Sequence, residues 1–233
     1  KYVKTLSFPG ILRPECADTC TNKSGEECSA EAFLRRYYDT HGRYTGSRFE
    51  SFGHPWDAME TANVITASDL LAVQCLSVDM PAKAAISILE TDAEQISGLL
   101  AQIPIDCNLW DAEDDVIGEN SPADQLWWVL RGYHGIGPVK ASKIMARKRA
   151  RLIPIFDQIV GRQLGMVNKR DQVVSGGHWM GMRALLNQPV PGADVPLHKY
   201  LQDLHAEAEL SELVTPLRIF DVAVWMDGKA KQK

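Results

Sequence analysis

Long apolar runs are missing from this 233-residue sequence, and none approaches the roughly 20 residues that a membrane-spanning helix needs. Residues 1–10 lack the apolar core of a secretory signal peptide, so we expect a cytoplasmic protein without membrane contact. The alternation of apolar and polar residues that is typical of half-buried strands does not extend over any useful length. Apolar residues at 45% and charged residues at 24% are ordinary globular values, which exclude disordered and collagen-like chains.

Cysteines are few, odd in number and absent after Cys107, which favours a reducing compartment. Three of them form a C-x3-C-x7-C cluster: Cys16, Cys20 and Cys28. No fourth ligand lies at a spacing typical of zinc sites, so unpaired thiols or one disulfide are favoured over a metal. The later histidines show no metal-site spacing either: His178, His198 and His205. We therefore expect no metal and no other cofactor.

Helix-start signals recur along the chain and predict an all-α fold. They are Ser29, Thr66 with Asp69, Pro81, Thr91 with Glu94, Ser121-Pro122, Pro138, Asp157 and Thr215-Pro216. Further helices are predicted over 177–188, 196–209 and 216–226. Residues 1–28 show no sustained period and are interpreted as an irregular arm before a single helical domain over 29–233.

Acidic residues are absent from 125–156, although the whole chain has a formal net charge of -5. The same window holds seven basic residues: Arg131, Lys140, Lys143, Arg147, Lys148, Arg149 and Arg151. One basic segment in an acidic protein is typical of polyanion binding, and a merely solvated basic helix is the plainer interpretation.

Two predicted helices flank the short segment Tyr133-His134-Gly135-Ile136-Gly137, which forms a hairpin between them. Glycines let a backbone approach a ligand closely, and the N-terminus of the second helix presents free N–H groups and a positive dipole end. Lys140 and Lys143 add positive charge in its first turns. The pattern predicts a phosphate contact that reads no base sequence directly.

Gly135-Ile136-Gly137-Pro138-Val139-Lys140-Ala141 resembles the hairpin of the helix-hairpin-helix DNA glycosylases, the superfamily of endonuclease III and adenine glycosylase. That hairpin usually reads L-P-G-V-G-x-x-x-A, followed by D-x-x-x-x-R starting 22 residues after its first glycine. Asp157 and Arg162 occupy those positions here, behind the apolar run 152–156. The resemblance covers Ser121 to Gly165 and implies a two-lobed helical fold. The loop Gly42 to Glu50 and the segment Leu217 to Val222 resemble an uncharacterised branch of that superfamily.

The chain departs from the superfamily pattern at several positions. Tyr133 and His134 replace the usual Leu-Pro. Val139 stands where the strand-cleaving members have a lysine. Lys140 comes one residue later, and one residue turns a helical side chain by about 100°. No cysteine follows Cys107, so the C-terminal iron-sulfur cluster of endonuclease III is not expected.

The resemblance implies that Asp157 is a catalytic carboxylate. The plainer interpretation is that Asp157 caps a helix. The two roles are compatible, because a carboxylate at a helix N-terminus stays ionised more readily. Implied DNA contacts are Gly135, Ile136, Gly137, Val139, Lys140, Lys143 and Arg162. A wall of the base pocket is predicted from Arg43, Tyr44, Arg48 and Phe49, with a loop packed on the core as the alternative. Trp127 and Trp128 are adjacent on one helix, so at least one is expected in the core.

These features together predict a monomeric, monofunctional DNA glycosylase that removes a damaged or modified base and leaves an abasic site. The cellular location is then expected to be the cytoplasm, at the nucleoid if the source is bacterial. Two alternatives remain open. One is a DNA-binding protein that has the fold without the chemistry, and the other is a module whose hairpin contacts protein.

Overall fold

A computed structural model describes residues 5–14, 28–39, 41–167 and 178–232. Its helices are α1 Ala30–Tyr38, α2 Ala67–Gln74, α3 Ala82–Ile86, α4 Ala93–Leu100, α5 Asp114–Ile117, α6 Pro122–Arg131, α7 Pro138–Lys148, α8 Gln158–Gln163, α9 His178–Leu186, α10 Leu197–Glu207 and α11 Pro216–Ala230. Within these residues there is no strand, and an isolated bridge joins Pro189 and Pro196. The fold is all-α, as the sequence predicts.

Local capping chemistry explains where several of the helices begin. Ser29 accepts a hydrogen bond from the Ala32 amide at 3.1 Å, and Ser121 accepts one from the Asp124 amide at 3.1 Å. Thr66 and Asp69 form a reciprocal capping box at α2. Such caps satisfy amides that have no partner inside the helix, and each stabilises it by about 1 kcal/mol.

The predicted capping box at Thr91 and Glu94 is wrong. Residues Ser87–Thr91 form a π-helical turn that continues α3, and only Asp92 separates it from α4. Thr91 therefore does not adopt the extended backbone of a cap, and Asp92 occupies the cap position without a side-chain capping bond. The Asp92 carboxylate instead accepts a hydrogen bond from the Tyr133 phenol.

The chain divides into two compact units, one formed by Lys1–Arg43 and Asp157–Lys233 and the other by Tyr44–Phe156. In the first unit α11 is the central helix and contacts α1, α8 and α10. A side chain at Gly228 would collide with Ile159 of α8, so this glycine allows α8 and α11 to pack closely.

Part of the predicted N-terminal arm belongs to the first unit. Leu6, Ile11 and Leu12 are buried, and a turn at Gly10–Leu12 contacts α11. The Ser7 amide donates to the Leu164 carbonyl at 3.2 Å. Cys16 and Cys20 lie outside the described residues.

In the second unit α7 packs against α2 and α6, and α6 also contacts α4 and α5. Its core includes Leu70 and Val73 of α2, Leu126 and Leu130 of α6, and Ile144 of α7. In the part of the chain that the structure describes, no helix is long and apolar enough to cross a bilayer.

Candidate nucleic-acid interface

The hairpin between α6 and α7 places one apolar residue inward between two glycines. Ile136 is 3% exposed, whereas Gly135 is exposed and Gly137 is half-exposed. Gly135 has a φ of +83°, and a Cβ there would lie 2.7 Å from Cγ of Pro81. Both facts exclude a larger residue, because positive φ and the close neighbour each penalise a side chain. The buried isoleucine thus fixes the turn while its glycine neighbours present backbone at the surface.

Tyr133 connects the hairpin to the start of α4. Its phenol donates a hydrogen bond to Asp92 Oδ2 at 2.8 Å. Burial, together with this bond and the charge of Asp92, raises the pKa of Tyr133 well above its ordinary value. The phenol therefore stays protonated at neutral pH and remains a donor. The tyrosine that departs from the superfamily pattern thus contributes a polar anchor for the hairpin.

Lys140 folds back onto the hairpin from the first turn of α7. Its Nζ donates to the Gly135 carbonyl at 3.0 Å. The positive charge therefore lies at the hairpin itself, where it can add to the field of the helix N-terminus.

The N-terminus of α7 has the features of an anion site. Gly137 is the cap residue and has no side chain that could occupy the first amides, and Pro138 has no N–H. The amides of Val139 and Lys140 lie in the first turn, where the helix itself supplies no carbonyl acceptor. An α-helix of this length also carries about half a positive charge at this end.

The predicted basic surface over 125–156 is wrong for most of its charges. Four of its seven basic residues are buried, with at most 4% of their surface exposed: Lys143, Arg147, Lys148 and Arg149. Lys143 donates from Nζ to the Leu76 carbonyl at 3.0 Å, so its ammonium group is not presented to a phosphate. The plainer alternative of a solvated basic helix is wrong as well. The cause is that loops and helix ends of the second unit surround these cations with carbonyl groups.

Asp69, Arg147 and Lys148 form a buried ion cluster, called here the Asp69 cluster. Arg147 Nε lies 2.8 Å from Asp69 Oδ1, and Lys148 Nζ lies 3.1 Å from Asp69 Oδ2. Burial alone would raise the pKa of Asp69, but the Thr66 amide, Lys148 and Arg147 outweigh it and hold that pKa below its usual range. The carboxylate therefore stays ionised and compensates two buried cations.

Arg147 also organises the loop that follows Phe49. Its guanidinium donates to three carbonyls, those of Phe49 at 2.6 Å, Phe52 at 3.0 Å and His54 at 2.5 Å. Arginine presents five N–H donors in a planar fork, which suits this set of acceptors. The loop is thereby attached to α7 and, through Asp69, to the start of α2.

Arg149 has the same kind of role at the end of α4. It donates to the carbonyls of Ile103 and Ala62, each at 2.8 Å, and to that of Leu100. Helices leave their last carbonyls without partners inside the helix, and Arg149 binds one of them here, that of Leu100. Burial lowers the pKa of Arg149 to about 10, so the side chain still carries its charge at neutral pH.

Asp157 and Arg162 lie on α8 in the first unit. Asp157 is the cap residue, is half-buried and accepts a bond from the Ile159 amide at 2.8 Å. Arg162 is exposed in the last turn of the same short helix. The preceding run 152–156 is buried throughout. The predicted cap is thus confirmed, while the catalytic role of this carboxylate stays a prediction.

The predicted base-pocket wall is only partly at the surface. Phe49 is 3% exposed and belongs to the core, so its prediction as a base-stacking side chain is wrong. Arg43 and Arg48 are exposed and Tyr44 is half-buried. Arg147 binds the Phe49 carbonyl, and the Phe49 ring is buried, which favours the alternative of a loop packed on the core.

The tandem tryptophans differ from expectation. Trp128 is 63% exposed, and Trp127 is half-buried with the Arg131 guanidinium 5.7 Å from its ring centre. The prediction that at least one is a core residue is wrong. Their helix uses Leu126 and Leu130 for its core face instead.

A comparison with protein-family models finds one match, to residues 30–228, which spans α1 to nearly the end of α11. The chain belongs to the family of unknown function DUF6308. No curated protein and no solved structure matches it.

The match to the DUF6308 model includes the hairpin, Asp157 and the whole Asp69 cluster. Sequence reasoning missed that cluster and the Tyr133–Asp92 pair. One signal was available, because Arg147, Lys148 and Arg149 follow one another at the end of a predicted helix, where cations bind free carbonyls. Among the described residues, no group of three or more His, Cys, Asp or Glu side chains is arranged to hold a metal ion.

Proposed function

We propose that this protein is a monofunctional DNA glycosylase, which hydrolyses the N-glycosidic bond of a damaged or modified base. The observation that carries the proposal is the order of features along the chain. A hairpin with an inward isoleucine between surface glycines begins α7, a buried run follows, and Asp157 then caps α8. This order is the one that the superfamily resemblance implies.

In the proposed mechanism the hairpin and the first amides of α7 bind a backbone phosphate, with Lys140 adding charge. A base that reacts must leave the stack, which costs a few kcal/mol and is easiest at a damaged pair. As the base departs, the sugar becomes cationic at C1′. The Asp157 carboxylate would stabilise that charge and orient or deprotonate the attacking water.

The partner is therefore DNA, bound by a monomer in the cytoplasm or, in a bacterium, at the nucleoid. Arg162 and the exposed residues Arg43 and Arg48 supply further positive charge for backbone contacts in this proposal. Tyr44 remains a candidate for stacking on the flipped base.

The deciding experiment is to incubate the protein with duplex pools that carry different modified bases. Free bases and abasic sites are then measured by mass spectrometry. Release of one class of base supports the proposal and identifies the substrate. Tight duplex binding without release from any pool would favour the non-catalytic DNA-binding alternative.

Charge reversal at the hairpin is expected to weaken duplex binding. Lys140→Glu places a negative group at the Gly135 carbonyl. We expect about a tenfold loss of affinity for duplex DNA at low salt. The slope of log affinity against log salt concentration should also become smaller in magnitude by about one. Lys199→Glu on α10 is the matched control, since Lys199 is exposed and lies outside the hairpin unit. Equal affinities of the two variants in fluorescence anisotropy would contradict the phosphate contact.

The product is expected to be an intact strand with an abasic site. The superfamily's lyase position is Val139, and Lys140 Nζ is engaged by the Gly135 carbonyl. No amine is therefore supplied for a Schiff base at that position. Borohydride trapping should give no covalent protein–DNA adduct. A strong adduct that Lys140→Ala abolishes would overturn this prediction.

A further inference from the structure

A completely buried hydroxyl lies on α7, the helix that starts at the hairpin. Ser142 has no exposed surface. Its Oγ donates to the Val139 carbonyl at 2.9 Å and accepts from the Phe156 amide at 2.9 Å. The Phe156 carbonyl is a second, longer acceptor at 3.4 Å. A hydroxyl has one proton and two lone pairs, so it can make the two short bonds at once.

These two bonds connect chemically distinct parts of the chain. Val139 is in the first turn of α7, where the proposed phosphate binds. Phe156 is the last residue of the buried run and is followed directly by Asp157. All three bonded residues lie in the second unit. The hydroxyl therefore fixes the Ile155–Phe156 peptide group, one residue before Asp157, to the start of the hairpin helix.

The run that contains Phe156 is also held by apolar side chains. The amides of Leu152 and Ile153 bind the Arg149 carbonyl, and Ile155 and Phe156 are buried. Apolar packing is not directional, whereas a hydrogen bond sets position and orientation. A displacement of about 1 Å at a reacting group can cost about 100-fold in rate, so such an anchor matters at this place.

We propose that Ser142 is a positioning residue for Asp157. This inference rests on the proposed glycosylase activity. Ser142 does not touch the substrate; it holds the Phe156 amide and thereby the backbone that leads into α8. Removing the hydroxyl leaves a buried amide without that acceptor, and the backbone is expected to shift to find another.

The kinetic test compares Ser142→Ala with the wild type in single-turnover excision. Alanine is a good helix former, so α7 should persist. We expect the rate to fall by at least about tenfold while the dissociation constant for DNA changes less than about twofold. In an Asp157→Asn background the same substitution should have no further effect on the rate, because both changes act through one group. Additive losses would overturn the proposal.

Ser121→Ala is the matched control. Ser121 is also a buried serine whose Oγ accepts one backbone amide, that of Asp124, at the start of α6. We expect it to lower the melting temperature without changing the excision rate of the folded protein. Ser142→Cys provides a second variant, which keeps the side-chain branching, is somewhat larger and has a thiol that accepts hydrogen bonds only weakly. A normal rate in both Ser142 variants would contradict the positioning role.

Amide hydrogen exchange gives a readout that does not depend on excision. In Ser142→Ala we expect faster exchange at Phe156 and also at Ile159, whose amide is held by the Asp157 carboxylate. Faster exchange at Phe156 alone would show that Ser142 does not position Asp157. If no modified base is released by the wild type, the exchange result still decides whether the hydroxyl orders Asp157, and only the proposed activity fails.

Discussion

Replacing Asp157 with asparagine is expected to slow single-turnover excision by about 100- to 1,000-fold. Asparagine is almost the same size and can still accept the Ile159 amide as a cap, so the free energy of unfolding should change little. What disappears is the negative charge that opposes the developing sugar cation. Affinity for DNA should stay equal or rise slightly, since a charge that repels phosphate has been removed.

The measurement combines three quantities on the same protein preparation: the excision rate, the melting temperature and a binding isotherm. Asp203→Asn is the matched control, because Asp203 is an exposed residue of α10 and its loss gives the same change in net charge. If Asp157→Asn excises at the wild-type rate, Asp157 serves only as a helix cap. Equal slowing in both variants would assign the effect to net charge rather than to a placed carboxylate.

Replacing Asp69 with asparagine is expected to destabilise the second unit by about 3–5 kcal/mol. The substitution leaves Arg147 and Lys148 buried without the carboxylate that compensates them. Removing one partner of a buried ion pair lowers the free energy of unfolding much more than replacing both partners with apolar residues does. Typical domains have a total stability of 5–15 kcal/mol, so this variant should show a large fall in denaturant midpoint.

The stabilisation by Asp69 should also depend on pH in a defined direction. Its pKa is lowered in the folded protein, so its contribution is fully present above the ordinary carboxyl pKa and is lost as the pH falls through the folded pKa. The difference in unfolding free energy between wild type and Asp69→Asn should therefore be largest near neutral pH and shrink in acid. Denaturant titrations at several pH values measure it.

An exposed ion pair on α1 gives the control for this prediction. Glu31 and Arg35 are four residues apart, 2.8 Å from each other and more than 40% exposed. Glu31→Gln should lower the free energy of unfolding far less than Asp69→Asn, because solvent screens the exposed pair. Similar losses for Glu31→Gln and Asp69→Asn would contradict the argument that burial makes the Asp69 cluster important.

The elements of the fold that sequence patterns predicted correctly are those with local causes. Ser29, Thr66, Ser121 and Asp157 cap helices through amides two or three residues away, so the evidence for each cap lies in a short window. The hairpin was predictable for the same reason. The inward position of Ile136 is consistent with its placement between two glycines.

The burial of the basic residues in 125–156 could not be predicted from their number. Arg147 binds Asp69, 78 residues away, and the Phe49 carbonyl, 98 residues away. Charge counting treats a cation as a surface group, since burial is rare without partners. Those partners here are mostly backbone carbonyls, which every residue has, so no sequence pattern identifies them. Phe49 was misassigned for the same reason, because its loop is held by Arg147.

The division of the chain also affects how the protein folds during synthesis. The second unit is one continuous segment, Tyr44–Phe156, inserted into the first. Tyr37 of α1 receives a hydrogen bond from Arg218 of α11, which is 181 residues later. At about 5–20 residues per second, α1 leaves the ribosome about 10 to 40 s before α11. During that time Phe33 and Leu34 have no native partner in α11, so we expect this apolar segment of the nascent chain to stay exposed until α11 is made.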